Sequence, residues 1–340
     1  MEIRVGILTA PKIEYERRAH TFVLKNVRIG IGFHWDREET QEFEGKLEIR
    51  KNADGTETAI NIIDMEQYLS CVISSEMAAN APMELLKAHA VISRSWLLRN
   101  LGTHEGFDVC ADDHCQRYEG IGRRNERAIE AVEATRGQCL TYDGEICDCR
   151  YHKCCGGKTE EYETCWEDKH IPYLESVSCP FCGRVQPKTL QSSLNDYDQE
   201  TQDFHDWQVS YTQDELSQII RDKSGIDFGQ VTDLVPLKRG KSGRIYELQV
   251  CGTKHTAVIG KELTIRKYLS RSCLYSSWID IHHENDRYTF VGKGWGHSVG
   301  LCQIGAAQMA VEGYTYEQIL QYYYKHTALK KIECTTIETV

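Results

Sequence analysis

The chain has 340 residues, a formal net charge of -11 at pH 7 and 15 cysteines. A chain of this size buries a large core, in one big domain or two intimately packed lobes, and it shows no transmembrane segment. Acidic balance with dispersed Lys and Arg excludes a nucleic-acid partner, because phosphate neutralisation needs clustered cations.

Residues 2–8 alternate like an edge strand and lack the apolar core of a signal peptide. Either export is absent or a leader has been removed ahead of this numbering. Residues 1–60 read as an N-terminal β region, with strands at 23–32 and 46–51 between polar loops and a hairpin turn at Asp54-Gly55. Glu76-Met77 then lead through Pro82 into a helix over 84–98 whose Leu85, Leu86, Ala88, Ala90, Val91, Ile92, Trp96 and Leu97 leave no wide polar face. Such a helix belongs at the centre of a core. Arg94 interrupts it and needs a carboxylate or an anion if buried, with Glu76 the nearest candidate.

The polar loop that follows brings together His104, Cys110, His114 and Cys115, an imidazole and thiolate mix that suits tetrahedral zinc. A reduced thiol cluster without metal is the alternative. An amphipathic helix at 125–136 turns Ala128, Ile129 and Val132 inward and closes on Gly137, ahead of a strand at 138–142 and a turn at Asp143-Gly144. A second cysteine group follows. Its C-x-x-C pair Cys179 and Cys182 is a possible half of another metal site with Cys154 or Cys155 and Cys165, a redox pair being the rival.

Residues 186–229 form a polar, loop-rich segment tolerant of insertion, apart from a helix near 213–221 capped by Thr212 or Asp214. A hairpin over 244–259, a helix at 261–269 and a strand at 278–282 come next. The glycines at 292, 294, 296 and 300 allow close backbone approach to a ligand or another strand just before a helix at 301–311, without the pattern of a phosphate loop. The run Tyr322-Tyr323-Tyr324 reads as packing more than sugar stacking. The alternation lacks regular βαβ spacing and predicts an α+β fold of mixed or antiparallel sheets around a buried central helix, with an active-site groove.

Tyr68-Leu69-Ser70-Cys71-Val72-Ile73-Ser74-Ser75-Glu76-Met77 and the block from Pro82 through Arg94 to Trp96 resemble the SpoIID/LytB family. Cys71 stands where Gly is usual and His89 where Gln is usual. Blocks at 108–118, 151–159 and 294–306 match in the same order, so the resemblance covers about 60–325, with a SpoIID-like catalytic domain over 61–330. It implies a lytic transglycosylase that cleaves peptidoglycan glycan strands between N-acetylmuramic acid and N-acetylglucosamine. Glu76 is then acid and base, its pKa lifted by apolar surroundings; a carboxylate at a helix N-terminus is the structural alternative. Arg94 would orient Glu76 or hold substrate, from behind the contact layer. Tyr173, in Ile171-Pro172-Tyr173-Leu174, would polarise substrate or else be a core tyrosine.

The resemblance further implies substrate or scaffold hydrogen bonds at His297 and Gln303, a substrate contact at Gln116, and zinc on His104, Cys110, His114 and Cys115. It implies a cell-envelope location outside the cytoplasm, and a cell-wall amidase as a possible partner. Two other classes remain open: a non-catalytic cell-wall or amidase-enhancing protein, and a zinc-dependent hydrolase.

Overall fold

A computed structural model describes residues 1–33, 35–199 and 205–332. The fold is α+β, with antiparallel and mixed sheets around buried helices. In the first sheet the order is Lys46–Lys51, Glu57–Asp64, Glu2–Ala10, Val109–Cys110. Glu2–Ala10 therefore lies inside this sheet, antiparallel to Glu57–Asp64 and parallel to Val109–Cys110, and is not the edge strand its alternation suggests. Its Ile3 and Val5 are buried. A second sheet joins Tyr15–Arg17, Thr21–Ile29 and Arg37–Glu44. The last of these reads as polar loop in sequence, yet alternation puts Gln41 and Phe43 inside.

Helix Met83–Arg99 is buried continuously from Ala88 to Leu97. It is surrounded by helices Met65–Glu76, Glu126–Ala134, Gln303–Val311 and Tyr316–Tyr323 and by strand Gln138–Tyr142, which is why it has no polar face. In Glu126–Ala134 the inward residues are Ala128, Ala131 and Val132, while Ile129 is exposed rather than packed. Tyr323 and Tyr324 are buried in packing.

A second apolar core gathers Trp207, Leu216, Ile220, Val231, Leu248, Ile265 and Phe290. Two three-stranded sheets build it, Asp206–Thr212, Arg287–Lys293 and Ile279–Glu284 in one, Val231–Arg239, Ile245–Gly252 and Thr256–Ile259 in the other. Helix Gln213–Ser224 packs on both, opened by a capping box of Thr212 with Glu215 and closed by Gly225 in the left-handed region. The described residues of the polar segment 186–229 are thus largely structured, and its first part touches the main body. Ala78 N–H donates to Ser193 O at 3.0 Å, and Asn195 Nδ2 donates to Ser75 O at 2.7 Å.

The glycine-rich block serves backbone-to-backbone approach. A Cβ on Gly294 would stand 2.7 Å from Cys154 O, and one on Gly300 2.0 Å from Arg150 O. Cys154 and Trp295 exchange backbone hydrogen bonds, and Tyr151–His152 pairs in parallel with Leu301–Cys302. That pairing delivers Gln303, at the start of its helix, to the end of helix Met65–Glu76.

Candidate active site and metal centre

Glu76 is the last residue of helix Met65–Glu76 and is half-buried. A helix N-terminal role is therefore ruled out; at the C-terminal end the helix dipole disfavours a carboxylate, so other groups must hold it. Tyr151 Oη donates to Oε1 at 3.1 Å and Gln303 Nε2 to Oε2 at 3.1 Å. The same Gln303 nitrogen is 2.9 Å from His89 Nε2, and His89 Nδ1 is 3.0 Å from Ser93 Oγ. Burial lowers the His89 pKa to about 4, so the imidazole is neutral near pH 7 and its Nε2 accepts from Gln303. Lys153 Nζ contacts the Glu76 carbonyl at 3.4 Å and pairs with Asp198 at 2.6 Å.

Burial pushes the Glu76 carboxyl up, but the charge of Lys153, together with His89, Arg117 and the Gln303 hydrogen bond, outweighs it and leaves the group below its ordinary range. The lift expected of an acid is not present in the free protein. Tyr151 is pushed well above the usual phenol range by burial and by Glu76, so it remains a hydrogen-bond donor.

Glu76, Tyr151, Lys153 and Gln303 open into a pocket of about 740 Å³. Trp35, Trp96, Trp166 and Trp295 line it, with Arg117 and Arg150 among its cations. Arg150 lies 4.5 Å from the Trp166 ring centre. Aromatic faces and fixed donors together suit a sugar chain.

His297 lines the pocket, and its Nδ1 accepts from Val299 N–H at 3.0 Å, which leaves Nε2 as the donor. Gln116 also reaches the wall, yet its amide is engaged internally by Tyr68 Oη and Ser93 O, both at 3.3 Å. Gln303 grips Glu76 itself. Tyr173 lies off the pocket: its hydroxyl accepts from Asp148 N–H at 2.9 Å and its ring packs on Tyr142. The phenol at the carboxylate is Tyr151, in the block that opens Tyr151-His152-Lys153, a match that the family pattern marks without assigning a role.

Arg94 is fully buried but does not reach Glu76. Its Nε and Nη2 donate to Glu66 Oε1 and Oε2 at 3.1 and 2.6 Å, and Nη1 donates to Gln138 O at 3.0 Å. The fork therefore ties the central helix to the first turn of the Glu76 helix. Arg94 is a packing lock and neither a catalytic group nor a substrate contact.

His104, Cys110, His114 and Cys115 converge, with one ligand atom from each lying within 4.8 Å of the others. His104 Nε2 is 3.1 Å and His114 Nδ1 3.5 Å from Cys115 Sγ. Ligands on one tetrahedral zinc stand about 3.5 Å apart, so the set fits that ion. His114 and Cys115 border the same pocket as Glu76. Gly30 N–H donates to Asp112 Oδ1 at 3.1 Å, tying this loop to the N-terminal sheets. In the second group Cys155, Cys179 and Cys182 meet as expected, but the fourth member is Cys302. Cys165 is elsewhere, its Sγ 3.5 Å from His297 O, and Cys154 is not one of the four, its thiol lying beside Cys182 and Cys302.

The family model described as "Stage II sporulation protein" matches residues 53–142, and a "Domain of unknown function (DUF8618)" matches residues 160–300. An uncharacterised protein of Brachyspira hyodysenteriae (strain ATCC 49526 / WA1) is 30% identical over 273 residues, spanning 79% of this chain and 67% of that protein. The chain belongs to the SpoIID family. Stage II sporulation protein D of Bacillus subtilis (strain 168) is 27% identical over 293 residues, 81% of this chain and 77% of that one. The amidase enhancer of the same organism is 26% identical over 291 residues, which is 77% of this chain but 40% of the enhancer. The Stage II sporulation protein model ends at residue 142, before the glycine-rich block, so Gln303 joins Glu76 from outside it. No helix among the described residues is long and apolar enough to cross a membrane.

Proposed function

We propose that this SpoIID-family chain has a cell-wall function and cleaves peptidoglycan glycan strands by lytic transglycosylation, with Glu76 as the single acid and base. The observation behind this reading is a carboxylate gripped on both oxygens by Tyr151 and Gln303 at the floor of a tryptophan-lined pocket. Protonated Glu76 gives its proton to the glycosidic oxygen as the muramyl C1–O bond breaks. The muramyl C6 hydroxyl then closes on C1, and its proton returns to Glu76. No water is consumed, and the product ends in a 1,6-anhydro ring.

In the free protein Glu76 is ionised near neutrality, the form needed for the second half of that sequence. A strand filling the pocket displaces water and strengthens the burial effect that favours the acid form. Arg117, Arg150 and Lys153 on the wall suit the lactyl carboxylate exposed when stem peptides are absent. Zinc on His104, Cys110, His114 and Cys115 would be structural, because two thiolates and two imidazoles close a tetrahedral shell. The substrate implies a location outside the cytoplasm, and the enhancer relative makes a cell-wall amidase a candidate partner.

Glu76→Gln tests the assignment: the amide keeps size and hydrogen bonding and loses the transferable proton. Strand cleavage should disappear while the circular dichroism spectrum and melting temperature stay near wild type. Near wild-type turnover by the purified variant excludes Glu76 as the catalyst.

A further inference from the structure

We propose that Cys155, Cys179, Cys182 and Cys302 bind one zinc ion in a closed tetrathiolate centre that holds the two segments surrounding Glu76 in register. The metal claim stands on the cysteines alone; the clause about Glu76 rests on the function proposed above.

The four sulfurs lie within 4.8 Å of one another, and all four side chains are buried. Sulfurs on one tetrahedral zinc stand about 3.8 Å apart, given Zn–S bonds of about 2.3 Å. Cys155 and Cys182 are already 3.4 Å apart. A polynuclear iron–sulfur cluster, held at its corners by cysteines, needs wider spacing than this. A redox C-x-x-C pair needs solvent access, and Cys179 and Cys182 have almost none.

The surroundings favour thiolates. The backbone N–H groups of Cys155 and Gly305 both point at Cys302 Sγ, at 3.3 Å each, and Tyr323 Oη is 3.2 Å from Cys179 Sγ. Outer donors of this kind orient metal-bound sulfur and spread its charge. Gly305 occupies the first turn of helix Gln303–Val311, where glycine costs helix stability. A Cβ there would fall 2.7 Å from Cys179 Sγ and 2.4 Å from Tyr323 Oη. The glycine leaves room for the sulfurs.

The centre joins three distant stretches of chain. Cys155 follows Tyr151 and Lys153, and Cys302 immediately precedes Gln303. Tyr151, Lys153 and Gln303, whose side chains touch Glu76, therefore descend from two segments that one ion would pin together. Cys179 and Cys182 form the turn that closes it from the other side.

Metal analysis of the purified full chain decides this. With both sites filled, about two equivalents of zinc per chain are expected. Cys179→Ser with Cys182→Ser should remove one equivalent and leave the His114 site filled, whereas His114→Ala should remove the other. Cobalt exchanged into wild-type protein should show the intense thiolate-to-metal absorption of a four-sulfur site, a readout independent of how the variants fold. Metal content unchanged in the folded double-serine variant, a mapped Cys155–Cys182 disulfide, or iron in place of zinc would overturn the assignment. Glu76→Gln should keep both equivalents, so a failure of the catalytic reading leaves this result untouched.

Discussion

Gln303 places its amide nitrogen 3.1 Å from Oε2 of Glu76 although 227 residues separate the two. The contact exists because Gly294 and Gly300 let the segment before Gln303 press against residues 150–155. Gln303 holds the carboxylate, so removing it should affect geometry more than binding. Gln303→Ala is expected to lower kcat by about 10- to 100-fold with KM changed little, given the sensitivity of positioned groups. Tyr151→Phe should do likewise through Oε1. Steady-state kinetics on defined glycan strands check both; a rise in KM alone would make them substrate contacts.

Arg94 and Glu66 form a buried pair with Arg94 fully excluded from solvent. Removing one member leaves the other charge without its partner, so Arg94→Ala should destabilise by about 3–5 kcal/mol. Arg94→Lys should recover only part, because an ammonium lacks the planar fork. Urea unfolding measures this. Activity of whatever folded fraction remains should be near wild type, since the pair lies away from the pocket; selective loss of kcat at full stability would return Arg94 to the site.

Acid should pull activity and stability in opposite directions. Free Glu76 sits below the ordinary carboxylate range, and kcat/KM reports the free enzyme's acid. Cleavage through Glu76 as proton donor should therefore give kcat/KM that rises as pH falls from 8 to 6, about tenfold per unit on this argument.

His89 works the other way. Its folded pKa, about 4, lies below the unfolded 6.5, so between those values the unfolded chain binds the extra proton. Stability is full above that window and falls through it as pH drops, by roughly 1.4 kcal/mol per unit within it. His89→Gln should flatten that slope in urea titrations at pH 7 and pH 5 and keep activity, since an amide at this position can still meet Gln303. An unchanged slope would assign the acid sensitivity to other groups.

Much of this was readable where the signal is local. Asp54-Gly55, Asp143-Gly144, the Thr212 cap and the convergence of His104, Cys110, His114 and Cys115 depend on neighbours a few residues away. Glu76 was singled out by its sequence block. Arg94's partner was not: Glu66 and Glu76 lie at opposite ends of one helix, about 15 Å apart at 1.5 Å per residue, and only tertiary packing chooses between them. Cys302 and Tyr151 join their sites through the strand pairing Tyr151–His152 with Leu301–Cys302, for which the sequence offers only glycines as a hint. Arg37–Glu44 was hidden because its buried face is formed by a glutamine and a phenylalanine among charges.

The most direct test of the central claim is mass spectrometry of the products released from glycan strands, with and without stem peptides, by the purified chain and by Glu76→Gln. Wild type should release fragments ending in 1,6-anhydromuramyl residues, with denuded strands preferred, and the variant should release none. Reducing ends that incorporate labelled oxygen from water would mean hydrolysis, and no product from either strand type would leave recognition without catalysis; either result contradicts Glu76 as the single acid and base of a lytic transglycosylase.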